Sequence, residues 1–194
     1  MSELQVLISR QQISRRVAEL AAQITSDFAG QAVILVGVLK GATIFLSDLA
    51  RELQLDATFD FIGTCSYGSL DNSPSAQSGW DSTGAVRLTK DVEQSLTGKN
   101  VLLVEDILDK GLTLSYIKNM LSAHRPKTLR TVALLDKPSR RITAVEADYV
   151  GFTIPDRFVV GYGMDYAEHY RNLPDICVIP GDGDLEATPT VPHL

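Results

Sequence analysis

With 194 residues the chain can bury one sizeable core but is short for two domains of ordinary size. Its 44% hydrophobic and 22% charged residues exclude a disordered or fibrous chain, and its apolar runs are too short for a helix that spans a membrane. A net charge of -6 gives no general attraction to nucleic acid or an anionic membrane, so a phosphorylated ligand would have to be held by a local arrangement.

In chain order, Ser9 with Gln12 three residues on forms a capping box, and Ile13, Val17, Leu20, Ala21, Ile24 and Phe28 recur at helical spacing up to Gly30. AVILVGV (32–38) reads as a strand buried on both faces. Lys40-Gly41 then leads into a helix carrying Phe45, Leu46, Leu49 and Leu53, which makes the first half of a βαβ unit. FDFIGTCSY (59–67) is a second strand, followed by a long Ser-, Gly- and Asp-rich segment with a single Trp80. Segments of that kind in compact domains are usually lids or binding loops.

VRLTKD resumes extended structure, VLLV is the next buried strand, and a helix follows near Thr113 to Ser122. TVALLD (131–136), DYVGF (148–152), RFVVGY (157–162) and ICVI (176–179) are read as the remaining strands, before a proline-rich tail that is expected to fray. Strands alternating with helices predict an α/β domain with a mainly parallel central sheet. The beginning MSELQVLISRQQ lacks the order of a secretion signal, and Cys65 and Cys177 fit buried free thiols, so a cytoplasmic protein is expected.

The stretch VLLVEDILDKGLTL (101–114) carries the chemistry. Glu105, Asp106 and Asp109 stand at the mouth of a strand-to-helix turn in which Gly111 can take a positive φ and Thr113 offers a hydroxyl. That turn suits an anion, whereas three carboxylates do not. A Walker-type loop is absent because Lys110 precedes the only glycine, and a receiver-type acidic pocket would stand earlier in its domain. A ligand carrying both a sugar diol and a phosphate reconciles the two halves, because carboxylates accept from ribose hydroxyls while turn amides hold the phosphate.

VLLVEDILDKGLTL resembles the phosphoribosyl-pyrophosphate signature of the phosphoribosyltransferases. LVGVLKGATIFLSDLAR (35–51), CSYG (65–68), ALLDKPSRR (133–141) and YVGFTIPDRFVVGYGMDYAEHYRNLP (149–174) resemble, in the same order, the hypoxanthine-guanine phosphoribosyltransferases. The likeness implies a type I phosphoribosyltransferase fold, an α/β domain over 1–179 with a small hood formed by the terminal segments, a mobile loop at about 66–88 and a tail at 180–194. It implies a Mg2+-dependent purine-salvage enzyme that makes IMP or GMP and pyrophosphate from phosphoribosyl pyrophosphate and hypoxanthine or guanine. It also implies a homodimer or homotetramer with no nucleic-acid or membrane partner. A xanthine-preferring transferase and a non-catalytic RNA-binding regulator on the same fold are the alternatives, and an acidic chain does not favour the second.

The resemblance further implies that Glu105 and Asp106 bind the ribose hydroxyls, directly or with Mg2+, that Asp109 is the acid or base at purine N7, and that Asp165 binds a second Mg2+. Lys110, Gly111, Leu112 and Thr113 would hold the 5'-phosphate. Lys40, Gly41 and Arg171 would face pyrophosphate, with a Leu39–Lys40 bond that can be cis. Lys137 would read purine O6, Phe158 would stack on the base, and Val159 would bind its Watson-Crick edge, with Asp165 nearby. Ser66 and Tyr67 would head the mobile loop. Lys110 stands where the family more often has Ser or Thr, which removes a hydroxyl donor and adds a charge.

Overall fold

The computed structural model describes residues 4–66 and 86–179; Tyr67, Trp80 and the remainder of 67–85, together with 180–194, lie outside the described residues. The chain opens on β1 (Gln5–Ile8) and α1 (Arg10–Asp27). Ser9 caps α1: its hydroxyl accepts from the Gln12 amide at 3.4 Å while the Gln12 side chain accepts from the Ser9 amide at 2.9 Å, which satisfies two donors the first turn would leave unpaired. β2 (Val33–Leu39), α2 (Thr43–Glu52), β3 (Ala57–Ser66) and β4 (Val86–Lys90) come next. β5 (Asn100–Leu108), α3 (Leu112–Ala123), β6 (Thr128–Asp136), β7 (Tyr149–Thr153), β8 (Val159–Val160) and β9 (Ile176–Val178) complete the order.

Six strands form one sheet in the order β4-β3-β2-β5-β6-β7, parallel throughout except for β4, which runs antiparallel to β3. Both faces are covered, which explains why β2 and β5 read as unbroken apolar runs. Val33 and Leu35 of β2, with Leu102 and Val104 of β5, pack against α1 and α2 in one core. Ile34, Val36 and Val38, with Val101 and Leu103, pack against Leu114, Ile117 and Leu121 of α3 in the other. Beyond the two acids Ile107 packs on the α1–α2 side and Leu108 on the α3 side, so the alternation of faces breaks across Glu105–Asp106.

The chain order places β2 between β3 and β5, so the sheet grows in one direction through β3 and in the other through β5 and β6. The carboxyl ends of β2 and β5 therefore flank the crevice where connections diverge to opposite sides, the position that gathers ligands in open parallel sheets. Over this end sits a second sheet, β1-β9-β8, antiparallel throughout, made of the expected terminal segments.

Ser66 ends β3 and residues 86–88 lie in β4, in line with the extended readings of FDFIGTCSY and VRLTKD. Two expectations need correction. RFVVGY is a strand only at Val159–Val160, because Gly161 at φ 98 and Tyr162 at φ 51 turn the chain immediately after it. Cys177 is buried but Cys65, paired with Arg87 of the edge strand β4, is only partly so.

Candidate active site

Glu105, Asp106 and Asp109 come off the carboxyl end of β5. Glu105 is 6% exposed, and its Oε2 has no hydrogen-bond partner among the described residues. Asp106 accepts from the Ile107 amide at 2.9 Å. Burial raises the proton affinity of both carboxyls, and the charge of Asp106 adds to the rise at Glu105. Arg171 opposes the rise at Asp106, and Asp165 adds to it. Two crowded, desolvated carboxylates of this kind call for a cation or hydroxyl donors.

Gly111 caps α3 at φ 84, and a Cβ there would lie 2.2 Å from Thr143 Oγ1 and 2.8 Å from Val145 Cγ1, so both conformation and space demand glycine. No side chain caps this helix, which leaves the first-turn N–H groups of Leu112 and Thr113 for an anion. The Lys110 carbonyl accepts from the Ile142 amide at 3.1 Å and from the Thr143 hydroxyl at 3.4 Å, which anchors the turn from behind.

The Leu39–Lys40 peptide is cis. A Cβ on Gly41 would lie 1.7 Å from Asp106 Oδ2, and one on Gly163 would lie 2.1 Å from the Gly41 carbonyl oxygen. Backbone from β2, carboxylate from β5 and the turn after β8 thus meet at one point. The Lys40 ammonium is exposed and pairs with Glu168 at 2.9 Å, on the same carboxylate oxygen that Arg171 approaches at 3.4 Å. Arg171 pairs with Asp165 at 2.8 Å and donates to the Gly163 carbonyl at 2.8 Å, while the Glu168 amide occupies the second Asp165 oxygen at 2.9 Å.

Beside the acids lies a cavity of about 320 Å3 lined by Asp106, Asp109, Lys137, Phe158, Val159 and Asp165, among others. Lys137, 6% exposed at the end of β6, donates from its ammonium to the Arg157 carbonyl. Phe158 meets Tyr166 edge to face, with ring centroids 5.6 Å apart. The structure therefore gathers Asp109, Lys137, Phe158, Val159 and Asp165 around one space, with Glu105 and the 110–113 turn on its flank; Tyr67 lies outside the described residues.

Two neighbouring arginines, the first of them on this wall, were given no role by sequence. Arg140 lies 2.7 Å from Asp109 Oδ1 and 3.1 Å from Asp156 Oδ1. The neighbouring Arg141 donates to the Asp109 carbonyl and pairs with Asp136. The signal available was the dipeptide Arg140-Arg141, two residues beyond Lys137 after Pro138-Ser139, but nothing local says that it returns to β5.

The phosphoribosyl transferase domain family model matches residues 7–167. The chain belongs to the phosphoribosyltransferase family. It is 45% identical over 175 residues to the hypoxanthine phosphoribosyltransferase of Escherichia coli, covering 89% of this chain and 93% of that one. To the hypoxanthine-guanine phosphoribosyltransferase of Bacillus subtilis it is 45% identical, covering 90% and 92%. It also matches the bifunctional protein TilS/HprT of Listeria innocua at 44% identity over 90% of this chain, but spans only 26% of that longer protein. Among solved structures, a hypoxanthine-guanine phosphoribosyltransferase from Bacillus anthracis superposes with a TM-score of 0.82 at 47% identity, covering 91% of this chain and 99% of the other. The expected type I fold is thereby shown.

Mg2+ is the ion this family generally uses with phosphoribosyl pyrophosphate. No cluster of three or more His, Cys, Asp or Glu side chains able to hold a metal occurs among the described residues. The donors present still fit Mg2+, which binds through one or two carboxylates and completes its shell with water and substrate phosphate oxygens. The partnerless oxygen of Glu105 and the crowded pair it belongs to are suitable ligands. No described helix is long and apolar enough to cross a membrane.

Proposed function

We propose that this phosphoribosyltransferase moves the 5-phosphoribosyl group of phosphoribosyl pyrophosphate onto N9 of hypoxanthine or guanine, yielding IMP or GMP and pyrophosphate. The observation that carries the reading is the buried Lys137 ammonium on the wall of a cavity shared with Phe158, Val159 and Asp109. A buried cation facing the purine's 6-position accepts a 6-oxo group as partner and leaves two donors opposed if the group is amino.

In this reading the ribose hydroxyls lie on Glu105 and Asp106, and the 5'-phosphate on the amides and hydroxyl of 110–113. Pyrophosphate faces Lys40, Gly41 and Arg171. N9 bonds to the ribose C1' as the C1'–O bond to pyrophosphate breaks and its electron pair leaves with the pyrophosphate. Asp109 takes the N7 proton as N9 bonds. Bound Mg2+, held by Glu105 and Asp106 with Asp165 at a second position, would neutralise charge on the leaving group. The hood and the carboxyl ends of the strands enclose the reacting carbon, which limits hydrolysis of a cationic ribose. A cytoplasmic homodimer or homotetramer is the form expected of it, testable by light scattering.

The deciding experiment is turnover with hypoxanthine, guanine, xanthine and adenine in parallel, with and without Mg2+. Mg2+-dependent turnover of hypoxanthine or guanine is expected. Turnover of none, or of adenine alone, overturns the reading, and a preference for xanthine would shift the substrate class within it.

A further inference from the structure

We infer that Arg140 is a positioning residue, which fixes the Asp109 carboxylate against the purine and, through Asp156, ties it to the wall carrying Phe158. The inference rests on Asp109 acting as the acid or base proposed above.

Asp109 follows the last residue of β5 and precedes the Gly111 cap, so the strand ladder no longer holds it. Two adjacent arginines hold it instead. Arg141 donates to its main-chain carbonyl and is itself anchored on Asp136. Arg140 approaches its Oδ1 at 2.7 Å, which leaves Oδ2 for a ligand in the cavity. The arginines are aimed by a short 3-10 turn, Pro138–Arg140, that starts directly after Lys137 and is closed by the Arg140 amide on the Lys137 carbonyl at 3.1 Å. The O6-reading candidate and the clamp on the base are thus one rigid unit.

The same guanidinium reaches Asp156 through Nη1, at 3.1 Å from Oδ1 and 3.3 Å from Oδ2. Asp156 precedes Arg157, whose carbonyl receives Lys137, and Phe158, the stacking candidate. The Arg140 side chain is 19% exposed, against 51% for Asp156 and 38% for Asp109, so the cation is the most buried member of the chain Asp109–Arg140–Asp156. One guanidinium thus faces two carboxylates, Asp109 as a close ion pair and Asp156 through hydrogen bonds, which the single ammonium of lysine does not copy.

The test is a double-mutant cycle on kcat and KM, with the wild type, R140A, Asp109→Asn and the double variant at saturating phosphoribosyl pyrophosphate and Mg2+. R140A is expected to lose about 10- to 100-fold in kcat, the scale of a misplaced catalytic group, with a much smaller change in KM for phosphoribosyl pyrophosphate. In the Asp109→Asn background the same change should cost less than about twofold, since no base is left to position. Additive losses overturn the inference, as does a rise in purine KM with kcat intact. If R140A melts at a lower temperature or fails to fold, R140K serves in the same cycle, with an intermediate kcat expected and wild-type kcat counting against the inference. Wild-type enzyme inert toward every 6-oxopurine would instead refute the reading of function, leaving the two failures distinguishable.

Discussion

The two ends of the parallel sheet treat their polar groups in opposite ways. At the amino end, Asp27, Tyr149 and Arg130 close on one another: the Tyr149 hydroxyl donates to Asp27 at 2.7 Å, Arg130 donates to the same carboxylate at 2.6 Å, and the guanidinium lies over the Phe28 ring at 5.2 Å. Asn100, at the start of β5, is likewise occupied by the Ala32 carbonyl and the Thr128 hydroxyl. At the carboxyl end of the same strands, Glu105 keeps an oxygen without a partner and sits against a second carboxylate. The Tyr149 hydroxyl and Arg130 hold the Asp27 carboxyl below its usual range, whereas burial pushes Glu105 and Asp106 above theirs. One end is assembled for stability, and the other stores unmet electrostatic demand for a ligand.

The largest effect expected from breaking this contrast is at the carboxyl end. Asp109→Asn should lose about 10²- to 10⁴-fold in kcat, the usual worth of a positioned acid or base, while circular dichroism and melting show a folded protein. Unchanged kcat would remove Asp109 from that role. Lys137→Ala should reduce discrimination against adenine by roughly 1–3 kcal/mol, read from the ratio of kcat/KM for hypoxanthine to that for adenine. If discrimination survives, another group reads the 6-position.

A smaller effect distinguishes the two ends by pH. Glu105 and Asp106 keep protons in the folded chain that the unfolded chain has already released, so their contribution to stability is full below the ordinary Asp value of 3.8 and is lost as pH rises through about 6 for Asp106. Ligand-free Asp106→Asn should therefore melt higher than the wild type at pH 7.5, and the gap should close toward pH 4; a lower melting temperature at pH 7.5 would contradict the stored repulsion. Asp27 acts in the reverse sense. Its stabilisation is present above 3.8 and is lost only as pH falls through its lowered folded value. The smallest change expected is Tyr149→Phe, about 1 kcal/mol of stability by denaturant titration with kcat unaltered, because the cluster lies at the far end from the cavity. A fall in kcat would show that the ends are coupled.

Much of this contrast was legible in sequence. The Ser9–Gln12 box, the doubly buried β2 and β5, and the acid-rich turn ending on Gly111 are encoded by neighbours within a few positions, where spacing and cap chemistry decide the outcome. Short strands were harder to read. β1 is four residues, mostly exposed, and is fixed by its pairing with β9 rather than by its own pattern. The pairing of Arg140 with Asp109 was also invisible, because the partners meet only after β6 has been laid beside β5. Likewise, nothing local announces that the Tyr162 hydroxyl will donate to Asp48 on α2 at 2.6 Å.

The hood sheet has a consequence for when the site comes into being. Among the described residues β8, which carries Val159, pairs with β9 alone, and β9 in turn pairs with β1, joining the first and last described strands of the chain. The β1–β9 contact carries the largest loop-closure cost in either sheet and adds to contact order, whereas β8 and β9, like β5 and β6, pair across a shorter stretch of chain. Amide hydrogen exchange should accordingly find β1 opening more readily than the central strands, and in synthesis the hood sheet, which needs both the first and the last described strand, would be the last part to close. Equal protection in both sheets would show instead that the hood folds as one unit with the core.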